Sequence, residues 1–473
     1  MGLFNRVPSI PAIKPMYNVG CLFDIPTGTY HQGARGESIL NGGMGSLVSI
    51  AGPGNSFKSS IALYWQLTLA ERLQPYKASI YDTENSLSYD RLTIFANPKR
   101  FPKMASINHG DETLPIDDTK FIITSSAELM GDEYFNQIKE ETKEIIKDKH
   151  PTMYTLPIRN SKLEHIKVRP PFNVTIDSLS ELKVTAQETG IVDKNNIGDS
   201  GNNMLYMRQG IAKKQLITQL PNISSKTGFM FTMVAHVGDE FDLGGMFAPQ
   251  KHKLTHSKRG SKITGTTKAF EFINNVLYEI FSSKVLHNKD RKTGVLYPLL
   301  DIDRVEGCID LMLVTLKITR NKSGASGVEL PIIISQREGL LPHLTQFHYI
   351  KEANWGISGN DRTYRLDLVP DVTLQRTTVR GIIDDNPNIK RALEIECEML
   401  QIKELWSDLK PGLMCTPAEL YDDLKTMGYD WDELLNTRTY FVFMEHEEHE
   451  LPLLSTLDLL RMRTGEYKPY WKD

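Results

Sequence analysis

The stretch LVSIAGPGNSFKSS, residues 47–60, sets two glycines and a lysine followed by two serines at a spacing that suits a phosphate group. In a loop of the form G-x-x-x-x-G-K-[ST], backbone N–H groups wrap the β-phosphate and the lysine ammonium reaches the β and γ oxygens. The hydroxyl that follows binds Mg²⁺. Gly52, Pro53, Gly54, Asn55, Ser56, Phe57, Lys58, Ser59 and Ser60 fill that frame, with Gly52, Gly54, Lys58 and Ser59 supplying the chemistry. Phe57 stands where the second glycine belongs, so its backbone must hold a glycine-favoured geometry under some strain. The buried-strand pattern LVSIA precedes the loop and the helix pattern SSIALYWQLTLAERL follows it, which is the context the motif requires. The competing reading is an incidental Gly-rich turn.

Acidic positions accompany the loop. IYDTE places Asp82 and Glu84 at the C-terminal end of a predicted strand, where open α/β sheets build their sites, and a carboxylate there can polarise an attacking water. VTIDSLSEL ends another strand with Asp177, the place for a carboxylate that holds Mg²⁺ through water. Helix capping is the alternative role for an aspartate at a strand end.

These residues need a scaffold. The apolar runs LVSIA, ASIYD, KFIIT, NVTID and FMFTMVA, mostly with helix-like segments between them, predict an α/β fold: a mainly parallel sheet covered by helices. LMLVTLKI and ELPIIIS flank the turn NKSGASG and predict a terminal β-hairpin that closes the core. From about residue 346 the pattern becomes helical: Ile389, Leu393, Cys397 and Leu400 share a face, and TPAE at 416–419 is a capping box. A helix-rich C-terminal domain over 346–473 is expected. The charged run QIKEETKEIIKDK reads as a solvated helix.

At 473 residues the chain can bury one large core plus flanking parts, and its 40% hydrophobic and 24% charged content is that of an ordinary globular protein. The net charge of -4 gives no global pull toward nucleic acid, so such binding must come from a local basic patch. Four cysteines lie far apart without a C-x-x-C pair, which argues against a zinc ribbon or disulfide framework and fits a reducing cytoplasm. The N-terminus lacks an apolar run of signal or membrane-spanning length, so neither export nor anchoring is expected.

Together, ILNGGMGSLVSIAGPGNSFKSS, YDTE, IDSLSEL and IGDSGNNMLYMRQGIAKKQL resemble the RecA recombinase family. The Phe-Lys-Ser loop is similar to that of its phage branch, the UvsX recombinases, where Phe before the lysine is normal. The resemblance implies a RecA-like P-loop ATPase core over residues 38–345, with insertions near 95–118 and 149–171, and an N-terminal arm over 1–37 that docks on a neighbouring subunit. It implies that Glu84 is the catalytic base, Asp177 the Mg²⁺ carboxylate, and His236 in TMVAHVGDE the sensor between the γ-phosphate and a DNA loop. A structural histidine is the competing reading. Where the family places an aromatic to stack on adenine, seven residues past Glu84, this chain has Arg91, with Tyr89 nearby. Arginine stacks through cation–π contact, so ATP binding survives with altered base preference.

The resemblance also implies two loops facing DNA. One is QETGIVDKNNIGDSGNNMLYMRQG and the other FDLGGMFAPQKHKLTHSKRGSKITGTTKAF. In the second, Lys251, Lys253, Lys258, Arg259 and Lys262 suit phosphate contact, and Phe241 or Phe247 suits stacking between bases; a solvated charged loop is the alternative. Arg320 and Lys322 in LKITRNKSG share one face of an extended strand, where the family places basic residues that reach the neighbour's γ-phosphate. An ordinary hairpin tip competes with that role. TPAELYDDLKTMGYDWDELLNTRTYFVFME reads as two helices and a strand, reminiscent of a winged helix but acidic, so a protein-contact role is at least as well supported. EHEEHE at 445–450 reads as a hydrated acidic turn rather than a metal site.

The expected protein is a DNA-dependent ATPase using ATP and Mg²⁺. It would form a helical filament on single-stranded DNA and pair it with homologous duplex DNA. It would act in the cytoplasm of a host cell if phage-encoded, with phage replication or recombination proteins as partners and no membrane association. A hexameric RecA-like helicase shares the same core, and ring or open helix depends on subunit rotation. A mediator or structural paralogue without turnover is the third reading, against which Lys58, Ser59, Glu84 and Asp177 argue.

Overall fold

The computed structural model describes residues 14–109, 112–116, 120–160, 162–185, 202–240, 254–288 and 294–472. The five predicted apolar runs form strands β1 (Leu47–Gly52), β2 (Lys77–Asp82), β3 (Phe121–Ser125), β4 (Phe172–Asp177) and β5 (Met230–Asp239). The sheet is completed by β6 (Ser261–Thr264), β7 (Val276–Val285), β8 (Leu311–Asn321), β9 (Glu329–Ser335) and β10 (Gly339–Leu340). Its order is β10-β9-β8-β7-β1-β5-β4-β2-β3, with β6 beside the far end of β5. Every neighbouring pair from β7 to β3 is parallel, whereas β8, β9 and β10 add antiparallel strands at one edge. A mixed α/β architecture with a large, mostly parallel central sheet and a terminal hairpin is therefore observed.

Strand side chains alternate between two hydrophobic layers, as the period of two requires. Val48, Ile50, Ala78 and Ile80 face helix α1 (Lys58–Arg72) in one layer. The short helix α2 (Tyr89–Phe95) adds Leu92 and Phe95 to that layer, and in the other layer Leu47, Ala51, Tyr81, Val174 and Ile176 lie with Tyr134, Phe135, Leu216 and Ile217. Those last four side chains belong to α3 (Gly131–Lys147) and α4 (Asn202–Thr227). On α3 the buried Tyr134, Phe135, Ile138 and Thr142 make one stripe, and the charged run read as a solvated helix occupies the rest. The short α5 (Lys268–Ile273) precedes β7.

After the hairpin come α6 (Pro342–Glu352), α7 (Val379–Asp385), α8 (Pro387–Leu405), α9 (Pro417–Thr426), α10 (Trp431–Leu435) and α11 (Thr456–Arg463). The capping box opening α9 is formed, with Glu419 N donating to Thr416 Oγ1 at 3.2 Å and Thr416 N to Glu419 Oε2 at 2.8 Å. Two features depart from the sequence expectation. A small antiparallel sheet of Ile357–Ser358, Tyr364–Leu366 and Val369–Leu374 precedes α7. The segment YFVFM is not a strand: Phe441, Val442 and Phe443 are buried in irregular backbone, and the nearest pairing is a single bridge from Arg438 to Leu453. An apolar run without a partner strand to share its hydrogen bonds stays irregular.

The helices after residue 346 share one hydrophobic cluster with α1, β8 and β9, and α6 runs across the 345/346 position. Of the expected arm, residues 14–37 pack on this chain's own helices: Trp406 Nε1 donates to Ile25 O at 3.1 Å and Gln401 Nε2 to Leu22 O at 3.1 Å. Residues 1–13 lie outside the described set. Within the expected insertion at 149–171, Tyr154–Arg159 and His165–Val168 form a hairpin, and the Tyr154 ring lies 5.0 Å from that of Phe443. Among the described residues no helix is long and apolar enough to cross a membrane.

Candidate functional site

β1 delivers Gly52 to the C-terminal edge of the parallel strands, and the chain turns there into α1. Phe57 adopts φ 70°, ψ 19°, and Asn55 has φ 52°, so both occupy the left-handed region that non-glycine residues seldom enter. The strain expected at Phe57 is thus present. Left-handed residues in a turn aim backbone N–H groups into a concavity of the kind that takes anions. Gly52 is required by close approach: a Cβ there would meet Ser56 Oγ at 2.8 Å and Ile280 Cβ at 3.0 Å. The first turn of α1 has neither an acidic residue nor a side-chain cap, so its N–H groups and positive dipole end remain directed at the loop.

The Lys58 side chain is 6% exposed, and its ammonium donates to Pro53 O at 2.5 Å. Burial lowers its pKa, while Asp177 and Glu84 oppose that shift. Asp177 terminates β4 directly opposite Asp82 of β2, and His236 lies opposite Gly52 where β5 passes β1. This register brings residues far apart in sequence to the same edge. Burial pushes the Asp177 carboxyl up to about 6, Glu84 and Asp82 add to the rise, and a hydrogen bond with Ser59 and the charge of Lys58 oppose it.

Glu84 is set by its neighbours. Buried Asp82 accepts from Glu84 N at 3.0 Å and from Leu87 N at 2.7 Å, which shapes the turn carrying the glutamate. Glu84 Oε1 accepts from Ser178 Oγ at 3.3 Å and lies 2.8 Å from His236 Nε2. Asp82 is therefore a positioning group, and Glu84, 41% exposed, is the carboxylate presented to the cleft.

Lys58, Ser59, Glu84, Asp177 and His236 line one cleft of about 820 Å³. Leu63, Leu87, Ile94 and Phe95 give it an apolar part, and Arg91 lies there with its guanidinium 5.3 Å from the Phe95 ring centre. Tyr89 is exposed and does not line the cleft. Gln336 and Arg337, from the turn between β9 and β10, were not anticipated. Arg337 is held by Asp303 and, at 3.1 Å, by Asp310. No local motif marks these two residues; only the predicted hairpin, which carries them back to the sheet edge, hinted at their place. Ser178, bonded to Glu84, was also missed.

Of the expected DNA-contacting residues, Lys251, Lys253, Phe241 and Phe247 lie outside the described residues, as does most of the first loop. Lys258, Arg259 and Lys262 are exposed, and Lys258 Nζ donates to Phe281 O at 2.9 Å. The sequence read this region as aperiodic, yet β6 returns antiparallel along β5 with Thr264 opposite His236. Four residues are too few for a periodic signal to be read. Arg320 Nε donates to Asn274 O at 3.3 Å and Lys322 Nζ to Ile273 O at 2.8 Å. Both sit near the start of β7, and neither lines the cleft of its own chain.

No protein-family model matches the chain, and no curated protein matches it either.

Proposed function

We propose that this chain is an ATP-dependent DNA recombinase of the RecA/UvsX type. It assembles as a filament on single-stranded DNA, pairs it with homologous duplex, and turns the filament over by hydrolysing ATP in the host-cell cytoplasm. One observation carries the reading. Lys58 at a helix N-terminus, the Ser59–Asp177 pair, and Glu84 joined to His236 converge in one cleft, and His236 stands at the base of a β5–β6 hairpin bearing exposed cations.

Each group has a task. Backbone N–H groups of residues 54–59 and the Lys58 ammonium bind the phosphates of ATP, while the apolar part of the cleft with Arg91 takes the base. The Ser59 hydroxyl and Asp177 carboxylate are hard oxygen donors suited to Mg²⁺, which when bound neutralises charge on the β and γ oxygens. Glu84 accepts a proton from the attacking water. His236 holds Glu84, so a shift of the β5–β6 hairpin on DNA alters the glutamate's position. Arg320 and Lys322, outside their own cleft, serve the neighbouring subunit's site. Phage replication or recombination proteins are the expected partners.

The test is electron microscopy of the full chain with ATP, Mg²⁺ and single-stranded DNA. Helical filaments that need both ATP and DNA are expected. Closed six-membered rings would favour the helicase alternative instead.

A further inference from the structure

The environment of Lys213 is unusual for a lysine. It lies on α4, is 4% exposed, and its ammonium donates to three backbone carbonyls: Leu179 O at 3.2 Å, Ser180 O at 2.9 Å and Gly265 O at 3.0 Å. Burying an ammonium is expensive, and burial pulls its pKa down to about 8. The carbonyls it holds belong to two separate segments. Leu179 and Ser180 follow Asp177 at the end of β4, and Gly265 is the first residue after β6. Those segments touch directly: a Cβ on Gly265, which has φ +64°, would meet Ser180 O at 2.5 Å.

From this point a chain of bonds leads to the cleft. Ser180 Oγ donates to Thr264 O at 2.7 Å and accepts from His236 N at 2.8 Å, and His236 Nε2 lies 2.8 Å from Glu84. On its other side Lys213 belongs to α4, whose first residues, 202–210, end the first of the two stretches read as facing DNA, and Gly265 follows the return strand β6 of the second.

We propose that Lys213 is a positioning residue that joins the stalks of both loops to the Ser180–His236–Glu84 chain, so that seating of single-stranded DNA sets the hydrolytic geometry. The inference rests on the recombinase reading and deepens it. Lys213 touches neither nucleotide nor DNA; it makes the two loops report to the cleft as one unit. Without its ammonium, α4 and the β6 return limb lose their common anchor, and DNA still binds but no longer drives turnover.

The experiment uses the full chain, unaltered and as Lys213→Met and Ser180→Ala, with a poly-dT oligonucleotide as the DNA. Phosphate release is measured with and without DNA, together with oligonucleotide affinity by anisotropy and thermal melting. In both variants DNA affinity should persist while the stimulation by DNA, the ratio of the maximal DNA-stimulated rate to the DNA-free rate, falls about tenfold, a typical coupling between sites. The DNA concentration giving half-maximal rate should not move. A stimulation equal to that of the unaltered chain would overturn the inference, including the case of an equal loss of DNA-free and stimulated turnover, the mark of a structural pin. If Lys213→Met does not fold, Ser180→Ala decides alone, because it keeps the buried ammonium and removes only the bonds to Thr264 and His236. An unaltered chain that hydrolyses ATP without responding to DNA would sink the recombinase reading itself, whereas a responsive parent with equally responsive variants sinks only the inference.

Discussion

Replacing Lys58 by Met separates chemistry from folding. The Lys58 ammonium donates to Pro53 O at 2.5 Å, and a hydrogen bond to a charged group contributes about 1.5–3 kcal/mol. Against this, the side chain is 6% exposed and burial disfavours its charged form. Met fills a similar volume and carries no charge to desolvate, which offsets part of that loss, while the carboxylates of Asp177 and Glu84 lose a facing cation. The net cost should stay within about 3 kcal/mol, so the melting temperature should fall by no more than about 10 °C. Hydrolysis should behave differently. Removing one preorganised donor from developing charge costs about 10²–10³ in turnover, so ATP hydrolysis should drop at least that far. Phosphate release and thermal melting on the same samples make the comparison. Undiminished turnover would refute the assignment of Lys58 to the phosphates. A fall in melting temperature beyond about 10 °C would show that the lysine is mainly a strut of the loop.

Other outcomes follow from the same geometry. Lys258→Ala with Arg259→Ala should flatten the slope of log affinity for single-stranded DNA against log salt, by roughly 0.7 for each phosphate no longer neutralised, and leave nucleotide binding intact; an unchanged affinity and slope would place the loop in solvent. Arg320→Ala/Lys322→Ala subunits and Glu84→Gln subunits, each inactive alone, should recover hydrolysis when mixed, and mixtures that stay dead although both assemble on DNA would confine the basic pair to its own hairpin. Glu398 is fully buried among the hydroxyls of Thr439 and Thr456, and burial raises its pKa from 4.5 to about 7. The folded state then holds a proton that the unfolded state releases, so this part of the stability is complete below about 4.5 and is lost as pH rises through about 7. Urea unfolding of Glu398→Gln should lack that decline, and an identical pH profile would show that Glu398 ionises freely.

Local signals carried much of the scaffold. The runs ending in Gly52, Asp82 and Asp177 are short, apolar and bounded by polar turns, so strand and site position could be read together. Phe57 was legible because a fixed spacing forces its backbone into the left-handed region. What the sequence hid depends on long-range register. Nothing near His236 announces that Glu84 lies 2.8 Å away, since the contact arises from the order β1-β5-β4-β2. Arg337 reaches the cleft only because the hairpin folds back, and the three carbonyls around Lys213 carry no side-chain signature at all. At the C-terminus, YFVFM had strand-like composition but no partner strand, so burial won over pairing.

The most direct test of the central claim is phosphate release from ATP by the full chain, titrated with single-stranded DNA beside Glu84→Gln. The account predicts turnover that rises with DNA and vanishes in Glu84→Gln, while that variant still binds DNA tightly in the presence of ATP. Turnover that ignores DNA, or that persists undiminished without the Glu84 carboxylate, would contradict it.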